Sequence, residues 1–157
     1  MGAESVSLFE NEREANLTST LEMVESALIE LGHVALDARM LGGDAECSWR
    51  IEKGSATVDV QIHRSEPLWV LRVSAIVMTA DGSKDPASLH RHLLTLNSKL
   101  SGAAFAVDGD RVLLVAERST VDLDQSEAKA MIDRVQNVAD DHDDKLVERF
   151  GGTLGAA

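Results

Sequence analysis

Two hydrophobic periods alternate along the chain. Between residues 17 and 31, apolar side chains recur every three or four positions, which is the spacing of one helical face, and Gly32 follows as a stop. Residues 47–52 and 56–63 instead alternate between apolar and polar side chains, which is the period of a β-strand with one buried face. The first part of the chain therefore predicts a helix and two strands, with turns at Gly42-Gly43-Asp44 and Lys53-Gly54.

The predicted strand over residues 68–78 is the least polar segment of the chain. Apolar side chains occupy both of its faces, and only Arg72 and Ser74 interrupt the second face. The predicted strand over 111–117 also looks apolar on both faces. Such a strand is either central in a covered sheet or covered on its second side by another molecule. We therefore expect more apolar sheet surface than the helices of one copy can cover.

A second helix and a hairpin are predicted between residues 85 and 117. Asp85 can cap this helix, Pro86 suits its first position, and Gly102 can end it. One face of the helix carries Leu89, Leu93, Leu96 and Leu100. The Asp108-Gly109 pair then separates two apolar runs, 103–107 and 111–117, and predicts a tight turn between antiparallel strands.

A long final helix is predicted to begin at Asp124, whose carboxylate can cap it while Glu127 reaches back, and to end at Gly151-Gly152. The predicted order of elements is therefore α-β-β-β-α-β-β-α. Because short turns favour antiparallel pairing, we predict an α+β fold with a five-stranded antiparallel sheet and helices mainly on one face. We expect a single domain over residues 16–152, a flexible leader over 1–15 and a loose tail over 153–157.

The charge of the chain limits the classes of partner. With 27 acidic and 15 basic residues, the formal net charge is −12. Nucleic acids and anionic membranes both attract basic patches, so we expect neither as a partner. No apolar run reaches the length of a membrane span, and the lone Cys47 cannot form an internal disulfide, so we expect a cytoplasmic protein.

Few residues form a pattern typical of catalysis or of metal binding. The acidic run at residues 140–144 is Asp140, Asp141, His142, Asp143 and Asp144. These residues point around the whole circumference of a helix, which favours a solvated face over a metal site. His90 and His92 are two positions apart and face different ways, so they do not chelate one zinc ion. We expect no catalytic residue, no metal and no cofactor.

Asn97 lies at the end of the second predicted helix. Its amide could contact a ligand, but we favour a structural role, in which it satisfies backbone groups in the last helical turn or in the following hairpin.

Several short sequences resemble the YbjN-type domain family, which is similar in fold to the secretion chaperones of the Tir-chaperone (CesT-like) class. They are Leu93-Leu94-Thr95-Leu96-Asn97, Gly102, Phe105-Ala106-Val107-Asp108, Val112-Leu113-Leu114, Ala139-Asp140 and Phe150-Gly151. The resemblance covers roughly residues 17–152. It implies a non-enzymatic, dimeric protein, and the secretion chaperones hold an extended segment of a client. One departure is Ser119-Thr120-Val121, where secretion chaperones usually carry a Leu-Pro element.

We therefore predict a non-catalytic protein-binding domain, a homodimer that holds a segment of a client protein. The candidate interface residues lie on the apolar strands and are Trp49, Leu68, Trp69, Val70, Ile76, Met78, Leu113 and Val115. Two alternatives remain: a small hydrolase or metal-dependent enzyme whose site assembles only in the fold, and a structural regulatory subunit.

Overall fold

The chain folds into one antiparallel sheet with helices packed against one of its faces. A computed structural model describes the backbone of residues 3–40 and 46–155, and the side chains of 14–36, 38–40 and 46–155. The helices are α1 (Ala3–Glu30), α2 (Ala35–Ala38), α3 (Pro86–Asn97) and α4 (Gln125–Phe150). The strands are β1 (Arg39–Met40), β2 (Cys47–Lys53), β3 (Ala56–Ser65), β4 (Leu68–Thr79), β5 (Ala104–Asp108), β6 (Arg111–Ser119) and β7 (Thr153–Leu154).

The sheet has seven strands, so the prediction of five was wrong. The strand order is β1-β2-β3-β4-β6-β5, and β7 also pairs with β4. The five predicted strands correspond to β2 through β6. The two additional strands, β1 and β7, have two residues each, which is too short to show an alternating pattern in the sequence. The predicted turn at Gly42-Gly43-Asp44 lies outside the described residues.

One face of the sheet forms the hydrophobic core. Leu71, Val73 and Ala75 of β4 alternate toward this side, opposite the inward-facing residues of β3 and β6. The long helix α4 lies across β3, β4 and β6, while α1 packs against α4. The prediction of helices mainly on one face is therefore confirmed for the two longest helices. The shorter α3 contacts β5 at the edge of the sheet.

A β-bulge interrupts the pairing of β4 with β6. Ile76 lies opposite Leu113, and Met78 lies opposite the very next residue along β6, Val112, so Val77 is extra in β4. Val77 and Met78 are consecutive and both almost fully buried. The bulge therefore ends the regular alternation of β4 at Val77.

Both ends of the described chain are more regular than the sequence predicted. The first helix begins at Ala3 and not near residue 17, so helical backbone extends into the predicted leader over 1–15. In the predicted tail over 153–157, Thr153 and Leu154 pair with β4. Neither segment has the apolar periodicity from which helices and strands are recognised.

The predicted acidic cap of α4 is confirmed. The Asp124 carboxylate accepts a hydrogen bond from the Glu127 backbone N–H at 2.9 Å, and the Glu127 carboxylate accepts one from the Asp124 N–H at 3.1 Å. The Ser126 hydroxyl also donates to Asp124 at 2.6 Å. The hydrogen bonds from Ser126 and Glu127 stabilise the carboxylate and lower the pKa of Asp124 below its usual range.

We expect Asp124→Asn to remove part of the acid sensitivity of folding. A carboxyl group whose pKa is lowered by folding stabilises the folded state above its unfolded pKa, and that contribution disappears as the pH falls through the folded pKa. The stability difference between wild type and variant should therefore shrink as the pH is lowered from about 6 to well below the ~3.9 of a free aspartate. Urea unfolding across this pH range measures it. Asp141→Asn, at an exposed position of the same helix, is the control, and a difference that does not change with pH would contradict the assignment.

Candidate functional site

The face of the sheet opposite α1 and α4 is called here the open face. The register of the strands places side chains of neighbouring strands in rows across it. One row contains Ile76, Leu113 and Ala106, and the next contains Ser74, Val115 and Ala104. We call the five apolar residues of these two rows the apolar corner: Ile76, Leu113, Val115, Ala104 and Ala106.

The apolar corner is not part of the hydrophobic core. Ile76, Leu113 and Val115 are half-buried, whereas the two alanines on edge strand β5 are exposed. None of the five belongs to the cluster of residues that packs between the sheet and the helices. The sequence predicted apolar sheet surface that the helices do not cover, and the structure places it in this corner.

Most of the rest of the open face is polar and carries paired charges. Arg50 of β2 donates two hydrogen bonds to Asp59 of β3, at 2.8 and 3.2 Å. Arg72 of β4 donates to Glu117 of β6 at 2.9 Å. These pairs are partly exposed to solvent and so add little stability. The Arg72–Glu117 pair does, however, border the apolar corner, because it occupies the row next to that of Ser74 and Val115.

The other predicted interface residues differ in burial and in location. Trp49 and Met78 are fully buried in the core, which excludes them from any contact surface. Val70 lies on the open face and is 8% exposed, because neighbouring side chains cover it. Trp69 packs against the core, and Leu68 is 42% exposed. Trp69 and Leu68 line a cleft of about 400 Å³ together with Glu14, Leu17, Glu46, Arg64 and Pro67.

Further exposed apolar side chains, which the hydrophobic pattern did not predict, lie along the part of the chain that leads into the outermost strand β1. We call these four side chains the β1-edge group: Ile29 (63% exposed), Val34 (62%), Leu36 (78%) and Met40 (43%). Ile29 lies near the end of α1, and Val34 and Leu36 belong to the turn of α2, which contacts both α1 and β2. The signal was present in the sequence, because Ile29 falls off the buried stripe of its helix.

Asn97 joins the end of α3 to edge strand β5. Its side-chain NH₂ donates to the Phe105 carbonyl oxygen at 3.1 Å, and its side-chain oxygen accepts from the Phe105 N–H at 2.7 Å. Both backbone groups of Phe105 are therefore satisfied on the side of β5 that faces away from β6. The prediction that Asn97 has a structural role in the hairpin is confirmed.

The acidic run on α4 is only partly a solvated face. The Asp143 side chain is 2% exposed and accepts a hydrogen bond from the Ser55 hydroxyl at 2.7 Å. Asp140 accepts from the Ser55 N–H at 3.1 Å. At Gly54, with a φ of +56°, a Cβ atom would overlap the Asp140 carboxylate. Asp140 and Asp143 thus hold the turn between β2 and β3 against α4, which corrects the prediction of a fully solvated run.

Two histidines contribute to packing between α3, α4 and β5. His142 stacks edge-on against Phe105 with ring centroids 5.7 Å apart, and His92 lies 5.4 Å from the ring of Phe150. Burial, followed by the nearby positive charge of Arg149, lowers the pKa of His92. Within the described residues, no three His, Cys, Asp or Glu side chains lie close enough together to hold a metal ion.

Comparison with known proteins identifies the family. Residues 19–156 match the family model described as "T3SS (YopN, CesT) and YbjN peptide-binding chaperone 1". The chain belongs to this peptide-binding chaperone family. The resemblance to the YbjN-type and CesT-like proteins is thereby confirmed. No curated protein matches the chain in sequence.

A solved structure with a TM-score of 0.60 shows the same fold as this member of the peptide-binding chaperone family. A chain in the "Crystal Structure of the ExsC-ExsE Complex" is 16% identical with a TM-score of 0.60, and the match covers 82% of this chain and 94% of that one. A chain of the heterodimeric ExoU-SpcU complex from the type III secretion system of Pseudomonas aeruginosa is 21% identical, with a TM-score of 0.48 and coverages of 80% and 96%.

Membership of the peptide-binding chaperone family determines how the surface is interpreted. The family is one of chaperones that bind peptides, which points to a non-enzymatic protein. Contiguous exposed apolar patches in such a protein are candidates for contact with another polypeptide. Among the described helices, none combines the length and the hydropathy that crossing a membrane requires.

We expect Asn97→Ala to destabilise the chain by about 1–3 kcal/mol, because it leaves the Phe105 N–H and carbonyl without their partner. Asn97→Asp keeps the acceptor and loses the donor, so its effect should be smaller. Urea unfolding measures both variants. Asn137→Ala, which removes an exposed side-chain hydrogen bond to Asp133, is the matched control. Equal stabilities for Asn97→Ala and Asn137→Ala would contradict the role of Asn97.

Proposed function

We propose that this chain is a homodimeric chaperone of the cytoplasm that holds an extended segment of a client protein along the outer edge of β1. Two findings support the proposal: membership of a peptide-binding family and the β1-edge group. The second finding supports this choice of site. Four of the large apolar side chains that remain exposed lie between Ile29 and Met40.

The β1 edge offers both kinds of contact that an extended segment needs. β1 is the first strand on the path of the sheet, and on its outer side no strand partner occurs among the described residues. A segment that adds to this edge can pair with the free backbone groups of β1. Met40 lies beside Ser48 on the open face, whereas Ile29, Val34 and Leu36 belong to the helical side. Because side chains of an extended segment alternate between two faces, each face of the segment can contact apolar residues of the β1-edge group.

The charge of the chain indicates which client segments are preferred. At a net charge of −12, long-range attraction favours a segment that carries basic residues between its apolar ones. Because the attraction acts mainly on association rates, client capture should weaken as the salt concentration rises.

We expect Leu36→Glu to weaken client capture at least about tenfold, because burying one leucine contributes roughly 1.5–3 kcal/mol and ~1.4 kcal/mol is a factor of ten. Tagged wild-type and variant chains are produced in the native cell, and client segments are identified by crosslinking. A synthetic peptide of each crosslinked segment is then titrated against both chains by calorimetry.

The matched control for this experiment is Val121→Glu. It makes the same type of change at another exposed apolar residue, which is 50% exposed and precedes α4. Equal peptide affinities for wild type and Leu36→Glu would show that the client does not bind at the β1 edge.

The homodimer is proposed to form through the apolar corner. Its two alanines on β5 allow a partner's backbone to approach closely, and its three larger side chains lie next to them on β4 and β6. A stable interface buries roughly 1,200–2,000 Å² in total, which is more than five side chains supply. The corner is therefore the centre of a larger contact around edge strand β5. Of the residues predicted from the sequence, Ile76, Leu113 and Val115 are retained in this proposal.

We expect Ile76→Glu to convert the dimer to monomers, because it introduces a charge at the centre of an apolar contact. Light scattering coupled to size-exclusion chromatography measures the mass of each variant. Gln61→Glu introduces the same charge on the polar part of the open face and should remain dimeric. A wild-type chain that is monomeric at every concentration up to about 100 μM, where a Kd corresponds to a binding free energy of only ~5.5 kcal/mol, would refute the dimer.

A further inference from the structure

Strands β3 and β4 separate beside the second half of β4, and we call the gap between them the fork. β3 pairs with β4 only as far as Val58 opposite Ala75. β3 nevertheless stays paired with β2 out to Ala56, which lies opposite Lys53. On the side of β3, the last residues of β4 therefore need another neighbour.

The cause of the fork lies in α4. Asp140 and Asp143 hold Ser55, and with it the turn between β2 and β3, against this helix. The close approach of Gly54 to Asp140 shows how tightly the turn is held. The end of β3 follows its turn toward α4 and leaves β4, which opens the fork.

The strand β7 occupies the fork. Thr153 lies opposite Thr79 and Leu154 lies opposite Met78, in antiparallel register. The Gly155 N–H then donates to the Val77 carbonyl oxygen at 3.3 Å. Val77 and Met78 belong to the core, so their backbone groups on this side need partners.

Two glycines allow this segment to lie so close to β4. A Cβ atom on Gly152, whose φ is +92°, would overlap the Thr79 carbonyl oxygen. A Cβ atom on Gly155 would overlap the Ile76 carbonyl oxygen. A segment that follows the same path therefore requires glycine at two positions separated by two residues.

The contact is also weakly held. β7 has two residues, and its apolar side chain, Leu154, is 39% exposed. Gly151 and Gly152 both have positive φ and connect β7 to the end of α4. Since glycine is the most flexible residue, this connection allows the segment to leave the fork without unfolding α4.

We infer that the β4 edge from Ile76 to Thr79 is a strand-acceptor site for an extended Gly-x-x-Gly segment, and that residues 152–155 fill it in the isolated chain. A second polypeptide with the same glycine spacing displaces this internal segment. The site goes beyond the proposed function, because the fork lies between β3 and β4 and not at the β1 edge.

The experiment uses a synthetic peptide with the sequence of residues 150–157 as the probe. It is titrated into three ¹⁵N-labelled proteins: the full chain, the chain truncated after Gly151, and the full-length variant Gly155→Val. Amide resonances of residues 76–80 report binding. Because a tethered segment acts at an effective concentration in the mM range, the full chain should need at least about tenfold more peptide than the other two proteins.

Two controls test the specificity of the site. A peptide carrying Gly155→Val should not bind the truncated chain, because its side chain meets the Ile76 carbonyl oxygen. The full-length variant Leu154→Ala keeps the backbone contacts and should behave as the wild type does.

Three results would overturn the inference. The first is no response of residues 76–80 of the truncated chain to the peptide, and the second is equal binding of the Gly155→Val peptide by that chain. The third is thermal unfolding in which neither the truncated chain nor Gly155→Val is folded, which would make β7 an integral part of the core. Client capture at the β1 edge is measured independently, so failure here leaves the proposed function standing.

Discussion

The burial of one sheet face under α1 and α4 is the constraint on which the other features depend. A domain of this size has enough apolar side chains to form one core layer between a sheet and helices. The central strand β4 carries more apolar residues than that layer uses. Its inward side chains pack beneath α4, and Ile76 on the opposite side remains available together with its neighbours on β6. The apolar surface left on the open face is thus a direct consequence of a strand that is apolar on both faces.

The sequence allowed the order of the long elements to be predicted, because each has an unambiguous period or end signal. The cap at Asp124, the hairpin at Asp108-Gly109 and the leucine face of α3 are all local features. Elements defined by tertiary contacts could not be predicted. β1 and β7 are strands only because β2 and β4 lie beside them, and two residues show no alternation.

The same limit applies to the candidate site. In the sequence, Trp49 and Met78 are apolar residues on predicted strands and are therefore candidates for contact residues. Their burial depends on which face each strand turns toward the helices. For Met78, that orientation is set by the bulge at Val77. The β1-edge group was missed for a related reason. Val34 and Leu36 lie in a stretch without a clear period, so only the packing of α2 reveals that they are exposed.

Two side-chain contacts explain sequence features that periodicity leaves open. The Leu96-Asn97 pair, followed by Phe105, is the part of the chain that most resembles the family, and Asn97 binds both backbone groups of Phe105. In the acidic run, Asp143 is buried and accepts a hydrogen bond from Ser55, whereas Asp144 is exposed. A polar residue in a helix can therefore determine the position of a neighbouring hairpin, and this role cannot be seen from the helix alone.

The bulge in β4 allows two consecutive side chains to face the core. Because side chains alternate along a strand, the one additional residue at Val77 reverses the direction of the residues after it. Deleting Val77 would restore regular pairing, in which Met78 stays opposite Val112 and faces the core while one buried side chain is lost. The extra residue therefore adds apolar volume to the core without changing the register in which Thr79 pairs with Arg111.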